Sequence, residues 1–388
     1  MLLLFIIYIA FISLGLPDAV LGSSWPVMRS DLNASMEFAG VISLIISAGT
    51  VLSSLYVTKA INCFGIGKVV AISVLLTAIA LLGFSMSNVA LALVFLAIPL
   101  GLGAGAVDAA LNNFVALHYK AKHMNYLHSF WGVGATAGPL LMANYLTLSE
   151  GWRDGYATIA VVQLLLVILL FSSLPLWKKF VVKSLESNDT GGALVSNATA
   201  LKIKGVPLQM AVFFCYCSIE MSTGLWAASY LTTQRDVLAA DAAFWVAMYY
   251  LGITAGRFAC GAIAEKITEE ALIRAGVFII LLGCILLALP FFDGLAKMGL
   301  ILIGLGCAPI FPNTLQMTPK RFGSAASQTI IGLSMASAYI GIMIVPPMLG
   351  GAATAFTFAS LPVILVFLSV IILVTTERLR RYSNTSLR

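Results

Sequence analysis

Charge is scarce in this chain. Only 10% of its 388 residues are Asp, Glu, Lys or Arg, against roughly a quarter in an ordinary soluble domain. Histidine is scarcer still: there are 3, all between positions 118 and 128, and no HExxH or other paired-ligand spacing occurs. That excludes a metalloenzyme and leaves no residues expected to hold a metal. The 6 cysteines form no CxxC pair and lie in or at the ends of apolar runs, so they read as small buried hydrophobes rather than disulfide or redox groups. No nucleophile–base pair and no appended soluble domain is visible, which argues against an enzyme and leaves a non-transporting membrane sensor as a minor reading. The net charge of +6 has no basic cluster of the kind that would mark a nucleic-acid partner. A basic leader is also missing, so the opening apolar run reads as an uncleaved first transmembrane helix and not as a signal peptide.

Hydrophobic residues make up 60% of the chain. Runs of membrane-spanning length, broken at charged or Gly/Asn/Ser-rich turns, predict spans near 2–28, 37–61, 67–87, 89–117, 124–148 and 154–177. Six more are expected near 205–231, 239–264, 271–292, 294–318, 325–350 and 355–376. Between the two sets lies 178–204, the one long polar segment, which reads as a flexible cytoplasmic linker. The expected organisation is an all-α membrane protein of 12 transmembrane helices: a six-helix bundle over 1–177, the linker, and a second bundle over 205–388. Most Lys and Arg residues fall on the side of the linker, with only Arg29, Arg153, Arg235 and Lys297 in the opposite loops. Both termini are therefore expected in the cytoplasm.

The two sets of spans echo each other. GLGAGAVDAAL at 101 aligns with GLGCAPIFPNT at 304, and the same offset places the turn after span 2 against the turn after span 8. Parallel repeats of six helices are what a major facilitator transporter would give, with its substrate site near the membrane midplane. GAIAEK at 261–266 resembles the signature of that superfamily at the turn after span 8. The resemblance implies a cytoplasmic gate in which Arg257, Glu265 and Lys266 carry the charge contacts. The first-half counterpart, TKAINCFGIGK, has Asn62 and Cys63 where an acid and a base are expected.

Three acids lie inside apolar spans, where an ionisable side chain is by default a functional hypothesis. Asp18, in GLPDAVLGSSWP, lies roughly 24 Å along span 1 at 1.5 Å per residue. Asp108 in span 4 is followed by Asn112, and a spacing of four places both on one helix face. Lipid would penalise that face, so Asp108 and Asn112 are expected to meet an aqueous cavity. Glu220 in span 7 is followed by Trp226 and Tyr230, whose spacing could offer an aromatic face to a sugar ring. His128 opens span 5, and Asn313 and Gln316 in span 10 could donate to hydroxyls or instead satisfy backbone freed by Pro309 and Pro312.

GLPDAVL in span 1, the Asp108–Asn112–Phe114 pattern in span 4 and LHSFWGVGATAGP in span 5 are together similar to the fucose–galactose–glucose:cation symporter family. Asn113 stands where that family's pattern has proline. The resemblance implies symport of a sugar or similar small polyhydroxylated solute, coupled to a proton rather than sodium and needing no cofactor. Asp18, Asp108 and Glu220 would couple the cation. Asp108, Asn112, His128, Trp226, Asn313 and Gln316 would contact substrate. It also implies a multi-pass protein of the bacterial inner membrane, functional as a monomer, whose partners are its solute and the lipid bilayer. Glycines and a proline in GATAGP leave a proton-coupled exporter of amphiphilic compounds as the alternative.

Overall fold

The computed structural model describes residues 2–119, 121–147, 151–177, 195–263 and 266–385. Among them every regular element is a helix, as lipid demands of a chain that must satisfy its own backbone hydrogen bonds. Span 1 comprises Leu2–Asp18 and Val20–Asp31; spans 2 to 6 are Phe38–Phe64, Ile66–Met86, Ala90–His118, Ala121–Tyr145 and Gly151–Ser172. Spans 7 to 9 are Val206–Gln234, Ala239–Ile263 and Glu269–Ala288. Span 10 comprises Asp293–Cys307 and Ile310–Phe322, and spans 11 and 12 are Ser324–Ala355 and Ser360–Thr385. Eleven of the twelve are long and apolar enough on their own to cross a membrane. The exception is span 5, whose opening AKHMNYLHSFWG dilutes its hydropathy with polar groups.

Two compact units result: one is Met1–Asp189 with Asp236–Ala247, the other Thr190–Arg235 with Met248–Arg388. In the first, Ile7, Phe11 and Leu14 of span 1 pack with Val74, Leu111, Leu127 and Leu170 from spans 3 to 6. Large apolar side chains such as Leu55, Phe95, Leu165 and Ile168 stay exposed. In water they would be a liability; in lipid they are the solvated surface.

The internal repeat is written in backbone contacts. A Cβ on Gly101 would fall 2.2 Å from the Ile46 carbonyl oxygen of span 2, and a Cβ on Gly304 would fall 2.1 Å from that of Tyr249 in span 8. Gly103 meets Ser73 and Thr77 in span 3, and Gly306 meets Gly276 and Ile280 in span 9. Spans 1 and 5 touch where Gly138 meets the Leu16 carbonyl, and spans 7 and 11 where Gly341 meets that of Phe214. Residues of spans 2 to 4 and 8 to 10 aligned by the offset in the sequence therefore make the same contacts within each unit, while spans 1 and 7 keep the contact at a register shifted by five residues.

The segment expected as a flexible linker to residue 204 is folded at its far end, while 178–194 lies outside the described residues. Ser196 caps a short helix, Asn197–Leu201, by accepting from the Thr199 N–H. Ala200 packs with Val206, Ala326 and Ile330, and Thr329 Oγ1 donates to the Val195 carbonyl at 2.8 Å. Apolar residues at 195, 200 and 203 give this stretch a face to bury, which the polar run before it lacks.

Candidate functional site

Asp18 sits where span 1 breaks. Pro17 has no N–H, so the Ser13 carbonyl one turn earlier loses its helical donor. Gln163 of span 6 replaces it: its Nε2 donates to Ser13 O at 3.0 Å, while its Oε1 accepts from Thr77 Oγ1 of span 3. The first helix stops at Asp18 and the second resumes at Val20. Gly15, Gly134 and Gly138 let spans 1 and 5 meet backbone to backbone beside this break. Their approach delivers the indole of Trp131, whose Nε1 donates to Asp18 Oδ2 at 2.7 Å. Asp18 is an exposed residue within a transmembrane helix. The glycines of GATAGP thus have a packing role.

Asp108 and Asn112 are joined directly. Asn112 Nδ2 donates to the Asp108 carboxylate at 2.9 Å and to its backbone carbonyl at 3.0 Å. Both are half-buried, and Asn113 is exposed. His128 is half-buried in span 5, edge-on to the Phe11 ring at 6.0 Å. One turn away on the same helix stands Trp131.

In the second unit Glu220 meets Arg257, whose Nη2 lies 3.4 Å from Glu220 Oε1 and 3.4 Å from Tyr216 Oη. Their side chains are 11% and 12% exposed. Arg257, expected at the gate with Glu265 and Lys266, reaches the embedded acid, since two opposite charges taken out of water are stable only together. Glu265 lies outside the described residues, and Lys266 is exposed on the turn. Trp226 and Tyr230 do not form the expected sugar-stacking face. Trp226 is fully buried, with Nε1 donated to the Pro346 carbonyl at 2.8 Å, and Tyr230 donates its hydroxyl to the Leu287 carbonyl at 2.7 Å. Each polar tip is spent on tying span 7 to a neighbour. Asn313 is buried and donates to the Pro309 carbonyl at 2.7 Å, which also accepts from the Asn313 N–H, whereas Gln316 is exposed.

Reasoning from sequence missed Trp131, Gln163 and Tyr216. Trp131 stood within a quoted motif, LHSFWG, yet no spacing rule links it to an aspartate 113 residues earlier. Gln163 carried a usable signal: it is the lone amide in an otherwise apolar stretch of span 6, and such a group in lipid needs a partner.

The family model of the Major Facilitator Superfamily matches residues 7–346. Among curated proteins the chain is similar to the glucose/mannose transporter GlcP of Bacillus subtilis, at 23% identity over 94% of this chain and 92% of that one. It is also similar to bypass of stop codon protein 6 of Saccharomyces cerevisiae, at 22% identity over 92% of this chain and 78% of that one. Of solved structures, a D-xylose–proton symporter matches with a TM-score of 0.73 and 14% identity, covering 95% of this chain and 96% of that one. The nucleoside transporter NupG matches with a TM-score of 0.76 and 11% identity, covering 97% and 98%. These likenesses between solved structures show the fold, and the family match extends it to kinship: the chain is a membrane transporter of the Major Facilitator Superfamily.

Proposed function

We propose that the chain is a symporter that accumulates a sugar, or a similar small polyhydroxylated solute, by alternating access coupled to protons. The observation that carries this reading is the Asp18–Trp131 pair: an exposed acid at a helix break, its carboxylate 2.7 Å from an indole nitrogen. Adjacent hydroxyls can donate to the two oxygens of one carboxylate, and the apolar face of a pyranose stacks on an indole. In this reading the same carboxylate also takes the coupled proton, so substrate and cation meet at one group.

Asp108, oriented by Asn112, supplies the second acid, and His128 a further polar contact beside Trp131. Glu220 we assign differently. With Arg257 as a standing counter-charge it holds spans 7 and 8 together, leaving coupling to Asp18 and Asp108. One charge moved through 100 mV is worth about 2.3 kcal/mol, some fifty-fold accumulation before any pH gradient is added. Similarity to a glucose/mannose transporter and to a xylose–proton symporter supports the solute class and the ion. A bacterial inner-membrane location, cytoplasmic termini and a working monomer belong to the same proposal.

The test is uptake into proteoliposomes of labelled glucose, mannose, xylose and uridine, under an imposed pH gradient with and without sodium. A sugar should accumulate when the pH gradient alone is applied. Accumulation of uridine only, or sugar uptake indifferent to the pH gradient, would overturn the assignment.

A further inference from the structure

At the basic end of the second unit, spans 9, 10 and 12 enclose a cleft that the transport reading does not use. It is lined by Glu270 and Arg274 of span 9, Arg321 of span 10, and Thr376, Glu377 and Arg380 of span 12. Arg274 is committed, with its Nη2 2.7 Å from Glu377 Oε1. Arg380 approaches the same carboxylate only to 3.9 Å and is 42% exposed. Arg321 differs from both: its side chain is 4% exposed, and its nearest carboxylate, that of Glu270, is 3.9 Å away. Its Nε and Nη1 are buried with no hydrogen-bond partner. A buried guanidinium with unmet donors is costly, and a planar fork of this kind is matched by the paired oxygens of a phosphate or carboxylate.

Three guanidinium groups and two carboxylates leave the cleft one positive charge in excess. A phosphodiester carries one negative charge. The cleft also lies between the Lys/Arg-rich ends of transmembrane helices, the end that an anionic leaflet attracts. We propose that this cleft binds a phosphate group, with Arg321 as its buried donor and Arg380 at its mouth, the phosphate coming from a lipid headgroup or from a soluble phosphate compound. The site is separate from Asp18 and Asp108 and does not depend on the solute transported.

The experiment is thermal unfolding of the full-length protein in nanodiscs of phosphatidylcholine alone or with about a fifth phosphatidylglycerol, and in detergent with or without inorganic phosphate. Phosphatidylglycerol should raise Tm by a few degrees, and R321Q and R380Q should each lose most of that rise. Removing a buried charge could itself unsettle span 10, so R380Q, at an exposed residue, serves as the second variant. A rise with inorganic phosphate that matches the lipid effect would keep the site and make its occupant soluble. If neither additive shifts the wild type, or if both variants keep the full rise, the cleft is not a phosphate site.

Discussion

At the scale of single residues, the acids of this transporter are distinguished by what faces them. Asp18 faces an indole, Asp108 an amide, and Glu220 a guanidinium. Asp18→Asn should therefore leave the protein inserted and folded but abolish concentrative uptake, while solute exchange at equal concentrations persists; unchanged accumulation against a gradient refutes its coupling role. Trp131→Phe keeps the ring and removes the donor to Asp18. A hydrogen bond to a charged group is worth about 1.5–3 kcal/mol, so the half-saturation concentration should rise about tenfold or more. Glu220→Gln should behave differently again, lowering Tm by several degrees, because breaking a buried ion pair costs about 3–5 kcal/mol. Replacing both Glu220 and Arg257 by Met should recover much of that loss, and an additive double variant would show that the pair is not coupled. Of these three environments only the Asp108–Asn112 pair was legible from the chain, since its partners lie one helical turn apart. Asp18 was visible as an isolated charge, but its partner is on another helix, and spacing along one helix says nothing about that. Trp226 misled because an aromatic beside a buried acid reads equally as a stacking surface and as a core anchor, and only the Pro346 carbonyl decides between them.

At the scale of elements, the uncharged runs were sufficient to locate every span, because lipid sets both a minimum length and a ban on unpaired backbone. Breaks inside spans were less legible. Proline occurs within spans 4, 5 and 11 while those helices continue, so Pro17 alone did not foretell that span 1 stops at Asp18. What differs is the amide of Gln163, which takes the carbonyl that Pro17 releases. A small void lined by Ala10, Leu14, Pro17, Val107, Thr77 and Gln163 lies behind the break, giving it room. Gln163→Leu should orphan the Ser13 carbonyl, while the Thr77 hydroxyl keeps the Val74 carbonyl as acceptor, lowering stability by about 1–3 kcal/mol. It should also disturb solute affinity, since the carboxylate of Asp18 is aimed by the break; a variant with lowered Tm and untouched affinity would detach the kink from the site. The same limits of local pattern hid the docking of residues 195–204, whose apolar partners, Ala326 and Ile330, belong to span 11.

At the scale of the whole molecule, the repeat seen in two short alignments extends to matched backbone contacts in both units. Gly101→Ala and Gly304→Ala should each be strongly destabilising, by about 1–3 kcal/mol or more, because each new methyl would meet a carbonyl oxygen with no flexible side chain to yield. Gly332→Ala and Gly351→Ala, whose added Cβ would meet nothing within 4 Å, should be neutral by the same thermal assay; equal losses at all four positions would deny the glycines a packing role. In terms of ancestry, the register of those contacts identifies the counterpart of every charged group in the other half. Asp108 corresponds to Phe311 and Asn112 to Leu315, while Asp18, through the matched Leu16 and Phe214 carbonyls, corresponds to Tyr216. Glu220 and Arg257 correspond to Gly22 and Ser54. A duplicated half would begin with identical chemistry and identical packing, and here only the packing has been inherited twice. The glycines recur in pairs and the ionisable residues do not, so the halves differ in kind: one carries exposed and half-buried acids, the other a self-neutralised pair.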